Sequence, residues 1–347
     1  MTVFFICEQS ISTHDAGEKA RDDLTTVLQS MNAKPLTIHR CREKGKIDRL
    51  LSIPMVRHDW SSVAAHVQKG DTLVIQYPPQ MYPKVSLAAL PSLRAMKNNG
   101  AKLCFFIHDI DCLRGNSAEG PDAQWLANAD VIIAHNQVMI DRLRTLNLSC
   151  PMVDLQIFDY LADDNIPNDS INRVPGIAIA GNLNRNKSGY IYHLAHDFPS
   201  ANFQLFGPNF DGDAIERQWY HGSVSPEELP KAMNAQFGLV WDGDSLQTCT
   251  GRFGEYLRFN NPHKLSLYLA SGMPVFIWDQ AAEAQFVERN HLGFAISSIA
   301  DAVYMAENID ADIYKTYQKN VSAMQKRLHR GFYTTHALQQ AFATLRP

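Results

Sequence analysis

The segment Phe237–Trp278 reads FGLVWDGDSLQTCTGRFGEYLRFNNPHKLSLYLASGMPVFIW. It carries two short apolar runs, Phe237–Trp241 and Pro274–Trp278, of the length and composition of buried strands. A polar, glycine-bearing loop separates the first run from Asn261-Pro262-His263-Lys264, which opens a helix. Asn261 suits the N-cap and Pro262 the first helical position, where a missing N–H costs nothing. Leu265, Leu267, Tyr268 and Leu269 continue the helix, Gly272 ends it and Pro274 begins the next strand. Strand, polar loop, helix start and lysine together make a place to hold a phosphate, because free N–H groups and the positive helix end attract an anion. The alternative is an ordinary turn in which His263 and Lys264 only face solvent.

With 347 residues, the chain is long enough for two domains of ordinary size. Its hydrophobic fraction of 45% and charged fraction of 20% are those of a globular protein. A net charge of -4, with no sustained run of Lys or Arg, gives nucleic-acid binding no support. The six cysteines, Cys7, Cys41, Cys104, Cys112, Cys150 and Cys249, are scattered without a CxxC pair. Cys7 and Cys104 fall in apolar runs, where a buried free thiol fits a reducing compartment. Met1–Cys7 is too short for a signal-peptide core, and no apolar run reaches membrane-spanning length. A cytoplasmic protein is expected, with peripheral membrane contact and self-association left open.

In the first half, strands are expected at Thr2–Cys7, Thr72–Gln76, Lys102–Ile107 and Val131–Ala134. Helices at Glu18–Met31, Leu87–Lys97 and Gln137–Leu146 alternate with them, which indicates a parallel sheet covered on both faces. Ligands of such sheets lie at the carboxyl ends of the strands. Two loops there are chemically loaded: Ser12–Lys19, with His14, Asp15, Ala16, Gly17 and Lys19, and His108–Arg114, with Asp109. His135 and Asn136 share that edge, and a carboxylate or imidazole there can act as a base toward a sugar hydroxyl. By composition alone each loop is equally a polar cap on its strand.

Asp154–Asn172, rich in Asp, Asn and Pro, reads as the domain boundary. The expected division is a domain over 1–155, a hinge-like linker over 156–172, a second domain over 173–331 and a C-terminal helix over 332–347 that returns to the first domain. The second domain repeats the alternation, with strands at Gly176–Ala180 and Asn202–Phe206 and helices at Tyr190–Ala195, Pro226–Asn234 and Ala281–Asn290. Arg185 and Lys187 follow its first strand, so two cationic sites gather at one edge, as a nucleotide diphosphate requires. There is no GxGxxG after the first strand, no GxxxxGK[ST], no HExxH and no His/Cys cluster, which leaves dinucleotide, P-loop and metal readings without their main support.

Four segments resemble one bacterial group of GT-B glycosyltransferases: AGEKA at Ala16–Ala20, FIHDIDCLR at Phe106–Arg114, GLVWDG at Gly238–Gly243 and EYLRFNNPHKLSLYLASGMPV at Glu255–Val275. The group comprises β-1,6-galactofuranosyltransferases and the glucosyltransferases that extend O-glycans on streptococcal serine-rich adhesins. The resemblance covers essentially the whole chain, and NNPHKLSLYLASG is its most specific block. It implies an α/β fold of two Rossmann-like domains with parallel sheets facing across a cleft. It implies a hexosyltransferase that takes glucose or galactofuranose from a UDP-linked sugar, as substrate rather than cofactor, to a hydroxyl of a glycan or glycoprotein acceptor. By position, Lys264, Asn261, His263, Arg185, Lys187, Gly207, Asp242 and Gly243 fall on the donor side. Asp15, Ala16, Gly17 and Lys19 fall on the acceptor side, with Asp109 as base and His108 as second choice. No metal is implied. The EX7E motif of many retaining GT-B enzymes is absent in its usual form, since Lys264 stands where its first acidic residue is expected, so no mechanism is borrowed from them. The rivals are an epimerase or phosphorylase on the same architecture, or a non-catalytic subunit that binds glycan or a partner protein.

Overall fold

The computed structural model describes residues 2–8, 16–40, 45–162, 173–213 and 216–346. The chain divides into two units. One holds the N-terminal strand, Arg21–Leu155 and Thr334–Pro347; the other holds Gln156–Tyr333 together with the first turn of the Ala16–Ser30 helix, through Ala20.

The first unit is built on six parallel strands, β1 (Val3–Glu8), β2 (Lys34–Ile38), β3 (Thr72–Tyr77), β4 (Lys102–Ile107), β5 (Val131–Ala134) and β6 (Met152–Asp154), in the order β2-β1-β3-β4-β5-β6. β3, β4 and β5 are buried almost throughout, which is why their sequences are continuous apolar runs. Trp60 and Trp125 pack edge to face on the sheet, with ring centroids 5.4 Å apart.

The second unit has five parallel strands: β7 (Val174–Ala180), β8 (Phe203–Phe206), β9 (Ala235–Val240), β10 (Val275–Trp278) and β11 (Gly293–Ile296). Their order is β11-β10-β9-β7-β8, so the chain leaves β7 to one side for β8 and then returns to its other side for β9. Such a reversal opens a crevice at the carboxyl ends of the two central strands. Gly238 in β9 makes the sheet accessible to the following helix: a Cβ there would lie 2.1 Å from Cγ of Tyr268, whose ring occupies that space. The Tyr268 hydroxyl accepts a hydrogen bond from the Ala180 N–H at 2.7 Å, tying the helix His263–Ala270 to the end of β7.

Two expectations change. The helix begins at His263, with Pro262 as the N-cap residue and no side-chain cap, so Asn261 sits one step outside the cap. Pro262 has φ -71° and ψ 125°, an extended geometry that places it before the helix rather than in its first turn. The expected linker also differs where it is described. Ile157 and Tyr160 are in the core of the second unit, Ser266 Oγ donates to the Phe158 carbonyl at 2.7 Å, and Tyr160 Oη donates to the Pro226 carbonyl at 2.6 Å. The acidic residues between these apolar side chains disguise a packed segment as a polar one. Residues 163–172 lie outside the described residues.

Candidate functional site

The crevice between β7 and β9 is bounded by two loops that are stitched together. The Gly243 N–H donates to the Lys187 carbonyl at 2.7 Å, and the Tyr190 N–H returns to the Gly243 carbonyl at 3.2 Å. Gly243 has φ +119°, and a Cβ there would lie 2.4 Å from Thr250 Oγ1 and 2.5 Å from the Thr250 backbone nitrogen. Gly207, after β8, has φ +142°, and its Cβ would come within 1.7 Å of the Gly181 carbonyl oxygen. Only glycine permits both the backbone angle and the close approach. Both glycines let the loops at the strand ends pack closely, Gly243 against Thr250 and Gly207 against Gly181.

Lys264 projects from the first turn of its helix into this crevice. Its Nζ donates to Asp242 Oδ1 at 2.8 Å and to the Trp241 carbonyl at 2.9 Å. The two side chains are 11% and 8% exposed, so this is a shielded ion pair rather than a solvated lysine. Asp242 and Lys264 were both donor-side expectations, and the structure joins them to each other. Arg185 opens the short helix Arg185–Ser188, stacks its guanidinium on Tyr192 at 3.9 Å and pairs with Asp211 at 2.8 Å. Lys187 lies over the Phe253 ring at 5.3 Å. Asn261 is buried.

His263 has its Nε2 shielded and without a hydrogen-bond partner among the described residues. Its ring meets Tyr160 at 5.3 Å and Phe158 at 6.0 Å. Burial, helped by the ammonium of Lys19, pushes its pKa down to about 3 and keeps the imidazole neutral. Lys19 stands 4.8 Å above the Tyr160 ring and donates to the Leu161 carbonyl at 2.9 Å. The sequence reading puts Lys19 with the first domain; its ammonium instead finds its carbonyl and aromatic partners inside the second unit. Ala16 and Gly17 begin the same helix, and Asp15 lies outside the described residues.

In the first unit, His108 and Asp109 follow β4. His108 Nε2 bonds Gln76 Oε1 at 2.8 Å, and its backbone N–H donates to the Tyr77 carbonyl at 2.7 Å. Asp109 accepts from Arg114 Nη1 at 2.9 Å and is about a third exposed. The loop is held from beneath by Asp122, which accepts the Tyr77 hydroxyl and, at 2.8 Å, the Cys112 N–H. His135, at the end of β5, hydrogen-bonds the His108 carbonyl at 3.1 Å, and desolvation lowers its pKa to about 3.

Sequence reasoning missed Asp122, Tyr160, Thr250 and Tyr190. Each sits where the pattern shows only an ordinary helix, loop or linker residue, and no spacing rule marks them. Among the described residues, no group of three or more His, Cys, Asp or Glu could hold a metal ion, and no helix is long and apolar enough to cross a membrane.

Residues 3–157 match the family model described as Glucosyltransferase 3-like, N-terminal domain, and residues 177–341 match Glucosyltransferase 3-like, C-terminal domain. Beta-1,6-galactofuranosyltransferase WbbI of Escherichia coli is 33% identical, with 99% of each chain covered. Glucosyltransferase 3 of Streptococcus gordonii is 26% identical over 80% of this chain and 81% of its own. Among solved structures, an alpha,alpha-trehalose-phosphate synthase (UDP-forming) from Burkholderia vietnamiensis gives a TM-score of 0.63 at 10% identity, covering 99% of this chain and 100% of that one. At that identity the likeness shows the fold alone, and the fold is GT-B.

Proposed function

Because the chain belongs to the glucosyltransferase 3-like family of glycosyltransferases, we propose that it moves a hexose of glucose or galactofuranose type from a UDP-linked donor to a hydroxyl of a glycan acceptor. The observation that carries this reading is the crevice at the ends of β7 and β9. The turn at Gly243 there follows Asp242, the partner of a shielded Lys264 at a helix start, which suits the leaving diphosphate. As the glycosidic C–O bond breaks, negative charge grows on the diphosphate, and Lys264, Arg185 and the helix dipole stabilise it. The acceptor oxygen forms the new bond to the anomeric carbon and gives up its proton. Asp109 is the proposed recipient, and His108 is the alternative.

Both named relatives are hexosyltransferases by their printed names, and the solved neighbour is named UDP-forming, which favours UDP over other nucleotides as the leaving group. With the diphosphate neutralised by side chains of the chain itself, turnover is proposed to be independent of divalent metal.

The test is a thermal-shift and titration panel of UDP, GDP, ADP and TDP, followed by transfer assays with UDP-glucose and UDP-galactofuranose in excess EDTA. Selective stabilisation by UDP and transfer that survives EDTA are the expected results. Loss of transfer in EDTA, restored by manganese or magnesium, would assign the diphosphate to a metal instead.

A further inference from the structure

We propose that Asp242 changes partners when the donor binds, passing from the ammonium of Lys264 to the hydroxyl of Tyr190, which makes Tyr190 a positioning residue of the diphosphate site. The inference rests on the nucleotide-donor reading given above.

A phosphate that engages Lys264 competes with Asp242 for the same Nζ. Asp242 is buried, so a carboxylate that loses its cation there is left charged and nearly dry. That outcome opposes binding unless another donor takes the oxygen over. Tyr190 supplies one. Its side chain is 0% exposed, and its hydroxyl has no hydrogen-bond partner among the described residues. Buried polar groups are normally partnered, so an orphaned phenol beside a functional carboxylate calls for an explanation.

The surroundings bring the two groups together. The Tyr190 N–H is bonded to the carbonyl of Gly243, the residue after Asp242, so the backbone of Tyr190 is anchored to the turn that carries the carboxylate. A Cβ on Gly189, the residue before, would lie 3.0 Å from the Asp244 side chain, which brings the two loops close on the other flank. Desolvation, and then the charges of Tyr268, Asp242 and Cys249, raise the Tyr190 pKa, so the phenol keeps its proton and is a donor at any working pH. The other phenol nearby, Tyr268, accepts from the Ala180 N–H and so has a partner, whereas the Tyr190 hydroxyl has none among the described residues. Turning Asp242 from the ammonium to the phenol frees the lysine for phosphate and gives the hydroxyl an acceptor.

The experiment measures UDP affinity by calorimetry and ligand-free Tm for the wild type, Tyr190→Phe, Asp242→Asn and the double variant. Tyr190→Phe is expected to weaken UDP about tenfold, the scale of a hydrogen bond to a charged group. Its ligand-free Tm should be unchanged or higher, because the hydroxyl removed makes no bond in that state. In the Asp242→Asn background the carboxylate is gone, so adding Tyr190→Phe should leave UDP affinity where Asp242→Asn alone puts it. If Tyr190→Phe binds UDP as the wild type does, or lowers Tm with affinity intact, the hydroxyl is structural and the exchange is overturned while the donor reading stands. If the wild type binds none of UDP, GDP, ADP and TDP, the donor reading falls and the exchange falls with it.

Discussion

Lys264 shows how the surroundings of a proposed donor residue change what its removal should do. As a bare lysine at a helix start it looks dispensable for folding, and truncating it would touch only the ligand. Its shielded pairing with Asp242 changes that expectation. Removing one member of such a pair strands the other charge, so Lys264→Ala should cost the fold about 3 kcal/mol as well as weakening the donor. Urea denaturation of Lys264→Met and of Lys264→Met/Asp242→Asn checks this. The double variant should recover most of the loss, and equal stability for the two would show that the pair is not buried in solution. Gly243→Ala belongs to the same scale. The new Cβ meets the Thr250 backbone and sits at φ +119°, so the turn must shift at a cost of about 1–3 kcal/mol. UDP affinity should fall with it, and an alanine variant of unchanged melting and affinity would mean the turn adapts freely. Both residues stand out in the sequence as donor-side candidates. Their bonds do not, because Asp242 and Lys264 are far apart in the chain and their meeting depends on how β9 and the next helix pack.

At the scale of the element, legibility followed burial. β4 and β5 have the bounds their apolar runs predict, whereas β2, β6 and β11, all at sheet edges, went unseen. These edge strands bury little, unlike β8 at the remaining edge: of Lys34–Ile38 only Ile38 is buried, and β6 has three residues. Such segments become strands by pairing with a neighbour, which a local pattern does not record. The ends of β4 and β5 make a measurable prediction through His135. Its folded pKa of about 3 lies below the ordinary imidazole value of 6.5, so between those values the unfolded chain binds a proton that the folded chain refuses. Its contribution to stability is complete above pH 6.5 and is lost as pH falls toward 3. The slope approaches about 1.4 kcal/mol per pH unit, or about 2 kcal/mol between pH 6.5 and 5. Unfolding free energies of the wild type and His135→Gln at a series of pH values should differ in slope by that amount. Parallel curves would mean that the ring is hydrated or already charged.

The whole molecule carries two separate apolar cores, one under each sheet. Two α/β series are visible in the sequence as alternating strands and helices. Their boundary is harder to see, because a packed segment with acidic residues between its apolar ones has the composition of a linker. The proposed donor residues all lie in the second unit, in the loops after β7, β8 and β9 and at the start of the helix His263–Ala270. A nucleotide bound there should stabilise that unit by RT ln(1 + [L]/Kd), about 2.7 kcal/mol at a hundredfold excess over Kd. Because local opening reports local stability, amide exchange can locate the gain. With saturating UDP and no acceptor, protection should rise at 181–189, 241–250 and 263–266, and by a smaller amount, if any, at 108–114 in the first unit. The Tyr190→Phe variant at equal occupancy should keep the pattern, since it alters affinity rather than address. Protection that appears first at 108–114, with 181–189 and 241–250 unchanged, would move the nucleotide to the other unit and remove Lys264, Arg185 and Asp242 from the donor site together.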